Sequence, residues 1–212
     1  MKTIVELAEK YNTDKKMNNG KPSINGLPGH NYADIYDKYL TGFKVDKMLE
    51  IGIARGASIR MWSEYFEHKV EIHGIDIDKC DELRTPKIIY HQGDQKDIEF
   101  LNRKLHGLTF DLIIDDGSHR MRDQQISLKT LFPKLRSGGL YVIEDLHTSF
   151  IPEFYSTFPE TTTFILLKML ELRYTYKNHY LSAEEYYFLY SQIKNIEIIK
   201  IGKYIIGFIR KK

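Results

Sequence analysis

Leu49-Glu50-Ile51-Gly52-Ile53-Ala54-Arg55-Gly56-Ala57-Ser58 closes an apolar run that begins at Lys47 and opens the segment SIRMWSEYF (58–66). A strand-like run, a turn with two glycines and one apolar helical face in direct succession read as half of a strand–helix–strand unit. Glycine in such a turn lets the backbone bend tightly and come close to a ligand. Outward from there, four more strand-length runs follow: VEIHGIDI (70–77), KIIYHQGD (87–94), FDLIIDDG (110–117) and GLYVIEDL (139–146). Between them, IEFLNRKLH (98–106) and QQISLKTLFPKL (124–135) each show one apolar helical face. Parallel strands need crossovers rather than tight turns, so the pattern predicts an α/β, Rossmann-like doubly wound sheet, mostly parallel. The tail NIEIIKIGKYIIGFIRKK (195–212) sets two apolar runs around Ile201-Gly202-Lys203 and predicts a C-terminal antiparallel hairpin.

With 212 residues and 42% hydrophobic composition, the chain can bury one core. The expected organisation is a single domain over 1–212: a lid or cap segment at 1–45, a binding core at 46–150, and a helix plus hairpin at 151–212. Residues 12–31, rich in Asn, Gly, Pro and Lys, read as a loop. Residues 164–190 read as a helix that buries most of its tyrosines. Lys and Arg number 31 against 29 Asp and Glu, which argues against nucleic acid as a partner. One cysteine, Cys80, permits neither an internal disulfide nor a thiolate metal cluster. No signal-like or membrane-spanning apolar run occurs, and a cytoplasmic location is expected.

Ligands of open parallel sheets sit at the carboxyl ends of the strands, so polar residues there carry the most weight. The first such end holds Glu50, Gly52, Gly56 and Ser58. Its glycines are four apart and do not make the dinucleotide fingerprint G-x-G-x-x-G. The second ends in Asp76, an acid placed to accept two ribose hydroxyls, as in nicotinamide and S-adenosylmethionine sites. The third ends in Asp94-Gln95, a carboxylate and an amide that suit an adenine edge.

Strands four and five end in Asp115-Asp116-Gly117-Ser118-His119 and Glu144-Asp145-Leu146-His147. If they are neighbours, ~5 Å apart, four carboxylates crowd one rim, a costly arrangement without a cation or protons. Oxygen donors without thiolates suit a hard ion, Mg²⁺ first, with Mn²⁺ or Ca²⁺ as alternatives. Asp116, Glu144 and Asp145 are the expected ligands, while strand alternation turns Asp115 toward the cofactor side. His119 is the expected general base, and His147 is expected to orient a ligand or the substrate.

Glu50-x-Gly52-x-x-x-Gly56, Asp76, Asp94-Gln95 and Asp115 together resemble the class I S-adenosylmethionine-dependent methyltransferases. That resemblance implies a seven-stranded sheet, Gly52 against the methionine moiety, Asp76 on the ribose and Asp94-Gln95 beside the adenine. Ser58 adds a helix N-terminus that can meet a carboxylate. IIDDGSH and LFPKLRSGGLYVIEDLHTS look more closely like the metal-dependent sugar O-methyltransferases of macrolide antibiotics and a related bacterial group. It implies Mg²⁺ on the counterparts of Asp116, Glu144 and Asp145 and a base at His119. The similar N-terminal stretch LAEKYNTDK…GHNYADIYDKYL implies a lid over cofactor and substrate, with Thr13, Asp14, His30 and Tyr32 as its contacts.

The expected function is therefore Mg²⁺-dependent transfer of methyl from S-adenosylmethionine to a hydroxyl of a sugar. A nucleotide-activated, capsular or lipopolysaccharide sugar or a natural-product glycoside would serve, with self-association as a further expectation. The rival readings are a non-sugar O-methyltransferase, a nucleotide-dependent oxidoreductase and a non-catalytic binding module.

Overall fold

The computed structural model describes residues 2–16, 29–67, 69–80, 83, 85–155, 162–177 and 180–212. Seven strands form one sheet: β1 (Lys47–Ile51), β2 (Glu71–Asp76), β3 (Ile88–Gln92), β4 (Phe110–Asp115), β5 (Leu135–Ile143), β6 (Ile193–Ile201) and β7 (Tyr204–Lys211). Their order is β3-β2-β1-β4-β5-β7-β6. Strands β1 to β5 pair in parallel, and β7 runs antiparallel to both β5 and β6. This is the expected doubly wound sheet with its terminal hairpin.

Strand alternation divides the core between the two faces. Met48, Ile72, Leu112 and Ile114 pack on one face against α1 (Ile4–Lys10), α2 (Tyr32–Leu40) and α3 (Ala57–Tyr65). Leu49, Ile51, Phe110 and Ile113 pack on the other, toward α4 (Ile98–Lys104), α5 (Met121–Leu131), α6 (Thr163–Glu171) and α7 (Ala183–Gln192). All six residues of β4 are buried, as a central strand covered on both faces requires.

The helix expected over 164–190 is two helices. Helix α6 stops before Leu172, and Arg173 takes a left-handed φ of 61° that no helix continues through. Helix α7 then starts afresh on a capping box, with Ser182 Oγ accepting Glu185 N–H and Glu185 Oε2 accepting Ser182 N–H. Tyr186 is buried, whereas Tyr174, Tyr187 and Phe188 are exposed, so core burial accounts for only part of that aromatic run.

Residues 17–28 of the stretch read as a loop lie outside the described residues. Its described flanks are only partly solvated: Asn12 is exposed, whereas Thr13, Lys15 and His30 are buried. No helix among the described residues is long and apolar enough to cross a membrane.

Candidate active site

The sheet order brings the carboxyl ends of β1, β2, β4 and β5 to one rim, where a cavity of about 430 Å³ opens. That volume lies within the ~300–1,000 Å³ of small-molecule sites. Gly52, Ser58, Asp76, Asp94, Gln95, Thr13, Asp14, His30, Asp116, His119 and Asp145 all line it. Gly52 has φ 80°, and a Cβ there would lie 2.0 Å from the Asp116 carbonyl oxygen. The first turn therefore presses directly on the end of β4, which only a residue without a side chain permits. Asp76 Oδ2 accepts the N–H groups of Ile53 and Ala54 at 2.9 and 2.8 Å, anchoring a turn in which Ala54 has φ 42°.

Six expected site residues, Glu50, Gly56, Asp115, Tyr32, Glu144 and His147, stand off the cavity wall. Gly56 caps α3 in a left-handed conformation, facing Leu83. Glu50 is wholly buried, accepting from Trp62 Nε1 and Ser58 Oγ, both at 3.0 Å. Burial pushes its carboxyl up to about 7 against the opposing pull of Lys15. Asp115 does point away from Asp116, as alternation requires, but into the protein: its carboxylate accepts from Gln95 Nε2 at 3.1 Å and from Ser127 Oγ. Burial pushes that carboxyl up to about 6. Gln95 lines the cavity with its amide already engaged, because Oε1 accepts Ser118 N–H at 2.7 Å while Nε2 serves Asp115. Tyr32 stands behind the wall, its buried hydroxyl donating to Asp145 Oδ1 at 2.8 Å.

The acidic rim already contains a cation. Lys15 Nζ, wholly buried, donates to Asp116 Oδ2 and Glu144 Oε1, each at 2.7 Å, and lies 3.9 Å from Glu50 Oε1. Burial alone would lower the ammonium's pKa, yet Asp116, Glu144 and Glu50 outweigh it and hold the group well above its ordinary value. Asp116 is pushed well up by burial and by Glu144, with Lys15 opposing. Tyr36 donates to the same Glu144 Oε1 at 2.6 Å. Crowding of the carboxylates is thus relieved in part by a lysine and a phenol.

Asp145 sits differently. His119 Nε2, His30 Nε2 and His147 Nδ1 lie 3.6, 3.7 and 3.8 Å from its carboxylate oxygens. Burial would raise its pKa, but the three imidazoles and Tyr32 outweigh burial and lower it. His147 is shifted down by burial, which Asp145 opposes. Asp116, His119 and Asp145 each offer a donor atom within 4.8 Å of the others, a spacing that suits a metal ion. Glu144 is outside that group: its Oε1 is held by Lys15 and Tyr36, while its Oε2 is buried with no hydrogen-bond partner among the described residues. An orphaned buried carboxylate oxygen beside two further carboxylates fits a hard divalent ion.

Lys15 and Tyr36 were not foreseen as site residues, nor was Tyr204, whose ring centroid lies 4.5 Å from that of His30 and 5.2 Å from that of His147. Lys15 directly follows the singled-out Thr13-Asp14, which was its one signal. In a polar loop a lysine reads as solvated.

Residues 49–146 match the profile of a family described as "Methyltransferase domain". The chain is 42% identical over 139 residues to the mycinamicin VI 2''-O-methyltransferase of Micromonospora griseorubida, covering 59% of this chain and 34% of that protein. It is 36% identical over 155 residues to the demethylmacrocin O-methyltransferase of Streptomyces fradiae, covering 63% and 39%. The solved MycE methyltransferase of the mycinamycin biosynthetic pathway, in complex with Mg, SAH and mycinamycin VI, superposes with a TM-score of 0.80 at 29% identity. That alignment covers 99% of this chain and 54% of the other. The chain thus spans about a third of the curated relatives' length and about half of the solved one. The fold is the Rossmann-like methyltransferase fold.

Proposed function

We propose that the chain, whose residues 49–146 carry a methyltransferase domain, transfers a methyl group from S-adenosylmethionine to a sugar hydroxyl of a glycoside with the help of Mg²⁺. The observation that carries this reading is the convergence of Asp116, His119 and Asp145 at the wall of a cavity that the Gly52 turn and Asp76 also line. The relatives named above, 2''-O- and other O-methyltransferases of glycosylated natural products, point to the acceptor class.

Bound S-adenosylmethionine would supply an electrophilic methyl sulfonium, and bound Mg²⁺ a Lewis acid that acidifies and orients a hydroxyl. The protein does the rest. Asp76, anchored by the backbone N–H groups of Ile53, Ala54 and Asp78, would present its carboxylate to a ribose, and Gly52 keeps the adjoining wall open to the methionine moiety. Asp116 and Asp145 would hold the ion, with Glu144 behind them as a further buried carboxylate. His119 Nε2, facing the same place as Asp145 Oδ2, takes the proton of the attacking hydroxyl. The Asp145 carboxylate, 3.6 Å away, stabilises the imidazolium that results. His30, Tyr32 and His147 shape the acceptor side of the rim, and Thr13, Asp14 and His30 of the N-terminal segment line the cavity together with the core.

The test is incubation with S-adenosylmethionine, Mg²⁺ and two acceptor pools, macrolide-type glycosides and nucleotide sugars, read by mass spectrometry. A gain of one methyl on a glycoside, lost with a chelator, is expected. Transfer only to nucleotide sugars would move the acceptor class, and no transfer to either pool would overturn the reading.

A further inference from the structure

We propose that Lys15 is a positioning residue: its ammonium is a resident countercharge inside the ion-binding rim, and by docking there it pins the Thr13–Lys15 stretch over the cofactor cavity. The inference rests on the metal-dependent reading above and assigns a part to a residue outside it.

Three observations carry the inference. First, Lys15 reaches Asp116 and Glu144 across 101 and 129 residues of sequence and is wholly buried there. Second, the backbone around it is tied to everything the N-terminal segment places at the site. Lys15 N–H donates to Thr13 Oγ1 at 3.2 Å, His30 N–H to the Asp14 carbonyl at 2.6 Å, and Ala33 N–H to the Lys15 carbonyl at 2.8 Å. Thr13, Asp14 and His30 line the cavity, whereas Lys15 does not. The lysine therefore acts on the cofactor through its neighbours. Third, the ammonium sits among three carboxylates, Asp116 and Glu144 at 2.7 Å and Glu50 at 3.9 Å, so it offsets part of the rim's negative charge and leaves part of it to a divalent ion. Glu144 gives Oε1 to Lys15 and Tyr36, and its Oε2 has no hydrogen-bond partner among the described residues.

The two consequences run in opposite directions when the charge is removed. Lys15→Met frees the Thr13–Asp14 wall, so affinity for S-adenosylhomocysteine should fall by about tenfold or more. The same change leaves the rim more negative, and electrostatics should tighten Mg²⁺ binding. Isothermal titration of the full chain at pH 8, with MgCl₂ alone and with S-adenosylhomocysteine alone, reads both.

A lysine that merely supported the fold would move neither affinity, or weaken both together; either result overturns the proposal. Wild-type protein that binds S-adenosylhomocysteine and no Mg²⁺ would sink the metal-dependent reading itself, and the countercharge role with it. Lys15→Gln, which keeps a donor and loses the charge, serves if Lys15→Met does not fold. Reductive methylation of wild-type protein, followed residue by residue by mass spectrometry, is a check that needs no variant. Lys15 should resist modification under conditions that label exposed lysines, and labelling at their rate would overturn its docking in the rim.

Discussion

His119 and Asp145 face each other across the rim of β4 and β5, Nε2 3.6 Å from Oδ2, and both hold left-handed backbone, with φ 56° and 55°. Neither residue is glycine, and such conformations cost about 1–3 kcal/mol each where tertiary structure enforces them. The strain aims both side chains at one point. Thr148 stabilises the arrangement, its hydroxyl lying 2.7 Å from the Asp145 carbonyl and 3.1 Å from the His119 carbonyl.

His119→Asn should therefore retain the backbone, because asparagine is at ease in the left-handed region, and lose the base. The expected outcome is a turnover reduced by about 10²–10⁴-fold, with affinity for S-adenosylhomocysteine unchanged. Turnover within threefold of wild type would remove His119 from the chemistry.

Asp76→Ala deletes the acceptor of the Ile53 and Ala54 N–H groups at the end of β2, which β1 separates from β4 and β5 in the sheet. Cofactor affinity should drop by at least about tenfold, the loss of one or two charge-assisted hydrogen bonds. Mg²⁺ affinity should stay put. Equal losses in both would mean that Asp76 supports the whole site rather than the ribose end.

The first turn offers two substitutions of opposite sign. Gly52→Ala puts a Cβ 2.0 Å from the Asp116 carbonyl oxygen at φ 80°, and should destabilise by about 1–3 kcal/mol while weakening cofactor binding. Ala54→Gly relieves a φ of 42°, and should be neutral or stabilising by up to about 1 kcal/mol. Urea unfolding of the two variants checks both, and a stable Gly52→Ala would contradict the close approach of the β1 turn to β4.

Acid should loosen α1 from α3. Glu64 receives Lys10, Tyr11 and Lys2, and hydrogen bonds from the first two, then Lys2, lower its carboxyl to about 2. A depressed folded value means stability that is fully present above the ordinary carboxylate pKa of about 4.5 and is lost as pH falls toward 2. The stability difference between wild type and Glu64→Gln should shrink over that window. A difference constant from pH 7 to pH 3 would show that the cluster contributes nothing through its charge.

The order of strands and helices, and the acids at five strand ends, were legible in residues 47–146 because apolar strand-length runs, one-faced helical segments and glycine-bearing turns are local properties. Strands that run parallel must bring their carboxyl ends to one edge, so Asp76, Asp116 and Asp145 share a cavity by topology alone. Which way each carboxylate turns was not local. Asp115 was placed on the face opposite Asp116 by alternation, yet only Gln95 and Ser127, packed beneath it, make that face interior rather than cofactor wall. The break between α6 and α7 rests on Arg173 and the Ser182 cap, signals too weak to stand out from an aromatic run. Lys15 shows the limit most sharply. In sequence it is one cation in a polar loop, and its burial depends on the summed field of Asp116, Glu144 and Glu50, three carboxylates that only the folded sheet assembles.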